Sequence, residues 1–396
     1  MSEISPGVPG SKNSPFAFLR DLRFLQAMAQ IIFVALVLLV GRWLVGNLLD
    51  SIQTRGLSLS FDFFKRTAGF VVGEGLPMER TDTFWYAYLI GLYNSLRVIG
   101  VGLLLATVLG VLAGVALLST NWLLRSLVSV YVEVMRNTPL LVQLFFIYFG
   151  IILKLPSLQD RITVGAFSLS NRGFYFPKPI PGTGFTPWIL TTLAALIVSI
   201  IIYRVLLNRR VQQGIETRPL LWSGLVLIGV PAAVWIFTPG HPLALDYPAL
   251  QGLRMEGGAS LTPEFAGILI GLVLYTGAFI ADIVRAGILA VAKGQQEAAT
   301  ALGLSKSQVL RLVVLPQAMR VIIPPLTNQY LNLAKNSSLA VGVGYPDLYN
   351  VSSTIFNQSG QAVQVISLMM GTYLVMSLII AAVMNYLNSR LQIKER

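Results

Sequence analysis

Glu297-Ala298-Ala299-Thr300-Ala301-Leu302-Gly303, continued by Leu304 to Leu312 and then Val313-Val314-Leu315-Pro316, is a polar interruption between two long apolar runs. Its local chemistry reads as a helix, a tight turn and a second helix. Gly303 suits the left-handed backbone that ends the first helix. Ser305 and Gln308 stand at capping-box spacing to start the second. Pro316 and then Pro324-Pro325 are expected to interrupt that helix before and within the next apolar run. Ala298 and Ala299 are small enough for another surface to approach the helix backbone, with Lys293, Glu297, Lys306 and Arg311 around them. The segment 293–316 therefore reads as a docking element. An amphipathic helix lying on a membrane surface is the competing reading.

The runs on either side decide the fold class. A membrane-crossing helix needs about 20 mostly apolar residues. That rule gives about eight candidates, near 26–49, 88–118, 123–153, 188–207, 220–238, 263–290, 321–344 and 364–388. The chain is 55% hydrophobic and 12% charged, about half the charged share of a soluble domain, with a mean hydropathy of +0.70. The expectation is an all-α, polytopic membrane helix bundle. An even number of spans puts both termini on one side. Lys and Arg collect, about sixteen against about nine, on the side of the N-terminal tail, Arg125, 204–218, 285–320 and the C-terminal tail, which makes that side cytoplasmic.

The net charge of +12 follows from that orientation and needs no nucleic acid, because the basic residues fall between apolar runs instead of alternating with aromatics. The lack of cysteine excludes disulfides, thiolate metal sites and a cysteine nucleophile. His241 is the single histidine, so a histidine metal cluster is excluded and a surface role is the reading for it. No G-x-x-x-x-G-K-[ST] loop occurs, so any ATP is handled by another polypeptide. No catalytic, cofactor-binding or metal-binding residue is assigned.

The organisation expected is a cytoplasmic tail over 1–25, an anchor helix and outer loop over 26–87, and a main domain over 88–390 carrying an inserted segment at about 154–262. The anchor run is too long for a signal peptide and lacks an A-x-A-like cleavage site. The outer segments 50–87, 154–187 and 239–262 are rich in Gly, Pro and aromatics, which favours extended, turn-rich backbone and a small outer cap. The inserted span pair reads as lipid-facing scaffold.

Charge at membrane depth is costly and by default pairs or lines a cavity. Glu133 with Arg136, and Asp282 with Arg285, are each three apart and are expected to meet on one helix face. Lys335 has no such neighbour. It stands with Asn332, Asn336, Ser337 and Ser338 in a run expected to be loosened by Pro324 and Pro325, and polar irregular backbone is tolerated where it lines a water-filled cavity. These groups supply acceptors for an ammonium and donors for a carboxylate. Hydrogen bonding between helices is the alternative. Thr138 and Gln143 join the same candidate pathway if the third and seventh spans are neighbours.

The docking segment resembles the inner-membrane permeases of binding-protein-dependent ATP-binding-cassette importers. Their cytoplasmic signature is Glu-Ala-Ala, three residues, Gly, nine residues, Ile, one residue, Leu-Pro. Here Glu297, Ala298, Ala299, Gly303, Leu315 and Pro316 match it, with Val313 in the Ile place. Asn94-Ser95-Leu96, the run Arg136 to Gln143, Ala281 to Gly287 and Lys335 to Leu339 look like polar amino acid permeases, and the resemblance covers 88–153 and 263–390. The extra first span, long outer loops and inserted pair look like the general L-amino acid branch. Asn137 stands where many relatives have Gly, and Asn336-Ser337 where they have Asp-Thr or Asp-Ser, a departure that favours a broad or neutral substrate range. The resemblance implies a transmembrane permease subunit that imports amino acids across the bacterial inner membrane. It implies a periplasmic amino acid-binding protein, a second related permease subunit in a heterodimer, and two cytoplasmic ATPase subunits holding ATP and Mg. The rivals are an ion-driven carrier with midplane binding and a non-transporting scaffold or channel, neither of which needs the docking motif.

Overall fold

A computed structural model of the chain describes residues 22–54, 60–238 and 240–391. Most of the expected tail, with Lys12 and Arg20, lies outside the described residues. The first helix, α1 (Leu22–Thr54), stands apart, with none of its span buried. The centre is formed by α2 (Phe84–Ala116) and α7 (Pro263–Leu289). Each starts on a threonine whose side chain caps an open amide, Thr83 from the Tyr86 N–H at 3.3 Å and Thr262 from the Phe265 N–H at 3.1 Å.

Glycines let α2 and α7 lie side by side in one direction. A Cβ on Gly102 would touch Leu269, one on Gly110 would sit 2.5 Å from the Ile280 Cβ, and one on Gly114 would sit 2.7 Å from the Ala281 carbonyl. Around this seam Ile90, Ala106, Leu272, Ile280 and Leu333 are fully buried. The core is completed by α10 (Leu315–Asn336), α11 (Leu348–Ser359) and α12 (Ala362–Leu391).

Among the described residues, seven helices are long and apolar enough to cross a membrane, or eight if one bent pair counts as a span. That pair is α3 (Trp122–Asn137) with α4 (Leu140–Phe145) and its π and 3₁₀ continuation to Lys154, bent by 111° where the sequence suggested one run over 123–153. The bend has a local cause. Pro139 has no N–H and forces Thr138 out of the helical region, to φ −107° and ψ 132°. Gln143 stitches the break by donating to the carbonyls of Met135 at 2.8 Å and Thr138 at 2.9 Å.

The prolines of the seventh span do not interrupt it as expected. A short helix α9 (Lys306–Val309), a π turn over Leu310–Val314, α10 and a 3₁₀ stretch over Ser337–Val343 follow one another without a gap. Pro316 falls in the first turn of α10, where a missing N–H is tolerated. Burial of Ile322, Ile323 and Leu326 holds the helix through Pro324 and Pro325. The irregular backbone begins later, at Ser337.

Extended structure forms in two of the three expected cap segments, 154–187 and 239–262, while the described part of 50–87 holds a 3₁₀ turn at Asp62–Lys65 and a single bridge between Thr67 and Thr83. Strands β1 (Ile162–Val164), β2 (Phe167–Ser170), β3 (Gly173–Phe176) and β8 (Ala259–Leu261) make one antiparallel sheet in that order. Two ladders join β4 (Lys178–Pro181) to β5 (Leu243–Asp246) and β6 (Ala249–Gln251) to β7 (Arg254–Glu256). The β4–β5 ladder extends the inserted hairpin of α5 (Phe185–Gln213) and α6 (Pro219–Phe237), which pack on each other. Ser199 Oγ donates to the Ser223 carbonyl at 2.9 Å and Trp188 Nε1 to the Pro231 carbonyl at 3.2 Å. The helical bundle is therefore the fold, with strands confined to the cap.

The helix α11, absent from the span count because it is short, starts on Asp347. This carboxylate is 1% exposed, caps the Asn350 N–H at 2.9 Å and accepts from Tyr373 Oη at 3.2 Å. Burial pushes its carboxyl up to about 7, against the opposing backbone and Tyr373 hydrogen bonds. A folded-state value above the ordinary 3.8 means that stability is full below that ordinary value and is lost as pH rises toward about 7. The chain is expected to lose about 3 kcal/mol between pH 5 and 8 from this residue. Asp347→Asn, which keeps the cap, is expected to remove most of that slope in thermal unfolding in detergent.

Candidate functional site

The segment 293–316, expected to be a docking element, is built as its local chemistry demands. Helix α8 (Lys293–Ala301) ends in a six-residue turn in which Gly303, at φ +81°, donates to the Thr300 carbonyl at 2.9 Å, and Leu304 donates to the Ala299 carbonyl at 3.2 Å. The Ser305 N–H donates to Gln308 Oε1 at 2.9 Å at the start of α9. Glu297, Ala298, Gly303, Leu315 and Pro316 face outward, and Leu302 stands 83% exposed at the tip of the turn. Ala299 does not share that outer face. It is 5% exposed and joins Val291, Val309 and Val314 in the core, because the turn folds α8 back onto the start of the next helix. The sequence reading missed Leu302, although its place beside Gly303 in a polar loop marks an apolar contact point.

One pair of the expected intramembrane charges meets across helices. Arg136 donates to Asp282 between α3 and α7, and its guanidinium lies 5.4 Å from the Phe279 ring centroid. The expected Glu133–Arg136 and Asp282–Arg285 pairs do not form. Glu133 instead accepts from Ser129 Oγ at 3.5 Å.

The pathway candidates divide into two groups. Helix α4 packs on the 3₁₀ stretch after α10, so the third and seventh spans are neighbours. Asn332 and Lys335 are exposed, while Asn336, Ser338 and Thr138 are half-buried. Gln143 and Ser337 are buried and hold backbone, Ser337 Oγ donating to the Ala334 carbonyl at 2.8 Å. Thr138 Oγ1 donates to Val134 and Ser338 Oγ to Lys335, both at 2.8 Å.

Where α2 and α7 begin lies a second polar centre that sequence reasoning missed. Glu74, in the loop before α2, pairs with Arg97 of α2 at 3.1 Å and accepts from Thr262 Oγ1. Its carbonyl accepts from Asn94 Nδ2 at 3.1 Å, and Arg97 lies 4.2 Å from the Phe265 ring centroid. Burial pushes the Glu74 carboxyl up, against the Thr262 hydrogen bond and the Arg97 charge. Glu74, Arg97 and Thr262 line a cavity of about 360 Å³. The signal was present: Arg97 is a charge within the second span. The knot ties the outer loop to both central helices.

The family described as "Binding-protein-dependent transport system inner membrane component" matches residues 215–393. YhdX of Escherichia coli K12, an amino-acid ABC transporter permease protein by name, is 44% identical over 369 residues, covering 92% of this chain and 93% of that one. The general L-amino acid transport system permease protein AapQ of Rhizobium johnstonii is 42% identical over 370 residues, 92% of each chain. The glutamate/glutamine/aspartate/asparagine transport system permease protein BztB of Rhodobacter capsulatus is 38% identical over 411 residues, 95% of this chain and 96% of that one.

Proposed function

The chain belongs to the inner membrane components of binding-protein-dependent transport systems, as a permease of an amino-acid ABC importer, and on that premise we propose that it imports a broad range of L-amino acids. The observation that carries this reading is the near full-length likeness to AapQ, named for general L-amino acid transport. BztB, named for four amino acids, acidic and amide, supports breadth as well.

In this reading a periplasmic binding protein delivers substrate to the outer face, and a second, related permease completes the pore. Two cytoplasmic ATPase subunits, holding ATP and Mg, grip 293–316 through Glu297, Ala298, Leu302, Gly303, Leu315 and Pro316, with Ala299 holding the turn from inside. Both termini are cytoplasmic, and 88–390 is the permease domain with its insert at about 154–262. Coupling follows if ATPase closure shifts the docking helix pair as a unit, since a partner biases an equilibrium only through contacts that differ between two states. Lys335 offers an ammonium to the substrate carboxylate. Thr138, Asn332, Asn336 and Ser338 offer neutral acceptors to its ammonium, which suits substrates of varied side-chain charge. Gln143 and Ser337 position this backbone.

The test is uptake into proteoliposomes holding the co-expressed complex, with ATP on the ATPase side. Uptake is expected to survive a protonophore, and acidic, amide and aliphatic L-amino acids are expected to compete with one another. Competition confined to one class overturns the breadth, and collapse with the proton gradient returns the ion-driven carrier. Lys335→Met is expected to raise the half-saturating amino acid concentration about tenfold, the loss of one hydrogen bond to a charged group.

A further inference from the structure

We propose that the inner end of the α5–α6 hairpin binds the phosphate-bearing headgroup of an anionic phospholipid. Helix α5 ends at Gly214, at φ +67°, and the chain folds back so that Thr217 Oγ1 donates to the Leu206 carbonyl at 2.9 Å. The fold-back makes a cup of about 500 Å³, lined by Tyr203, Leu207, Arg210, Thr217, Arg218 and Leu220. Among the described residues neither the Arg210 nor the Arg218 side chain has a hydrogen-bond or ion-pair partner. Both guanidinium forks are open to a phosphate, which they match in geometry. Glu216 also lines the cup, but segment 204–218 holds four arginines to this one acid, so its field is that of a cation.

The second observation selects lipid over a free anion. Leu207, Leu220 and Leu221 line the same cup beside the arginines, and Leu220 is 78% exposed. A cup that sets open guanidiniums against exposed leucines suits a headgroup with the first part of its acyl chain. The Lys and Arg distribution puts this end of the hairpin at the cytoplasmic leaflet, where anionic lipids meet basic pockets between helices. The hairpin otherwise packs on itself, so a bound lipid is its means of fixing depth and tilt beside the bundle.

The full chain, purified in detergent and offered equal phosphatidylglycerol and phosphatidylcholine, is read by native mass spectrometry. Phosphatidylglycerol is expected to be retained in preference. Arg210→Gln with Arg218→Gln is expected to weaken its binding about thirtyfold, about fivefold for each charge lost near the surface, while Lys at both positions keeps most of it. Leu220→Asn is expected to weaken phosphatidylglycerol retention with the arginines intact, which keeps the test valid if the double Gln variant fails to fold. Equal retention of the two lipids by the unaltered chain overturns the proposal, as does unchanged retention by the folded double Gln variant. Inorganic phosphate that displaces phosphatidylglycerol and binds with the same arginine dependence, indifferent to Leu220→Asn, makes this a free-anion site and overturns the lipid assignment.

Discussion

Replacing Gly303 with aspartate is expected to reduce ATP-driven uptake at least tenfold while the chain still inserts in the membrane. The residue sits at φ +81° at the tip of the docking turn, a conformation that costs an ordinary L-residue about 1–2 kcal/mol. No atom lies within 4 Å of where its Cβ would stand, so the effect is not a clash inside this chain. It comes from backbone strain in the turn that joins α8 to α9, and from a new negative charge beside Leu302 on the surface proposed to meet the ATPase. Asparagine is admitted to the left-handed region as aspartate is but adds no charge, so Gly303→Asn is expected to keep a substantial part of the activity. Gly303→Val, β-branched, is expected to lose more. Glu297→Lys, reversing a charge on the same exposed face, is the companion variant. Co-purification of the ATPase, with membrane levels of the chain matched, separates docking from insertion. Normal uptake and normal ATPase recovery by both Gly303→Asp and Glu297→Lys would remove the docking segment from the mechanism.

The second large effect is on folding. Gly110→Val places a branched side chain where even a bare Cβ would lie 2.5 Å from the Ile280 side chain and 3.0 Å from the Gly277 carbonyl. The backbone of α7 cannot yield there without parting the central seam. Overpacking of this kind costs about 1–3 kcal/mol, and the upper end is expected because one of the atoms met is backbone. That is a large fraction of the stability of an ordinary domain. The amount of folded chain in the membrane is expected to fall several-fold. Gly100→Val is the control on the same helix, since nothing lies within 4 Å of its Cβ. Ile280→Ala is expected to recover part of the loss when combined with Gly110→Val, a coupling that a double-mutant cycle measures directly. Additive losses in that cycle would mean that Gly110 does not set the approach of α2 to α7.

The sequence by itself determined the membrane class, the approximate spans, the extended outer cap and the helix–turn–helix of the docking segment. Each of these rests on short-range physics: an apolar run long enough for a bilayer, a glycine in a left-handed turn, a Ser and Gln at capping distance. The signals are complete within a few residues, so no partner from elsewhere in the chain is needed to read them. Even the 111° bend has its cause in the pair Thr138-Pro139, although only the fold revealed that Gln143 is spent on mending it.

Tertiary structure decided which charges meet, which alanine of the docking pair is buried, and whether prolines end a helix. The i, i+3 spacing allows Glu133 to meet Arg136, yet Arg136 is taken by Asp282, 146 residues away, because α3 lies against that face of α7. Glu74 and Arg97, 23 residues apart, meet because the outer loop folds back over α2. Pro324 and Pro325 stay helical because their neighbours Ile323 and Leu326 are buried in the core. Spacing along the chain specifies which contacts are possible on one helix. Which of them form depends on the faces that neighbouring helices present, and that choice is made by packing the whole bundle at once.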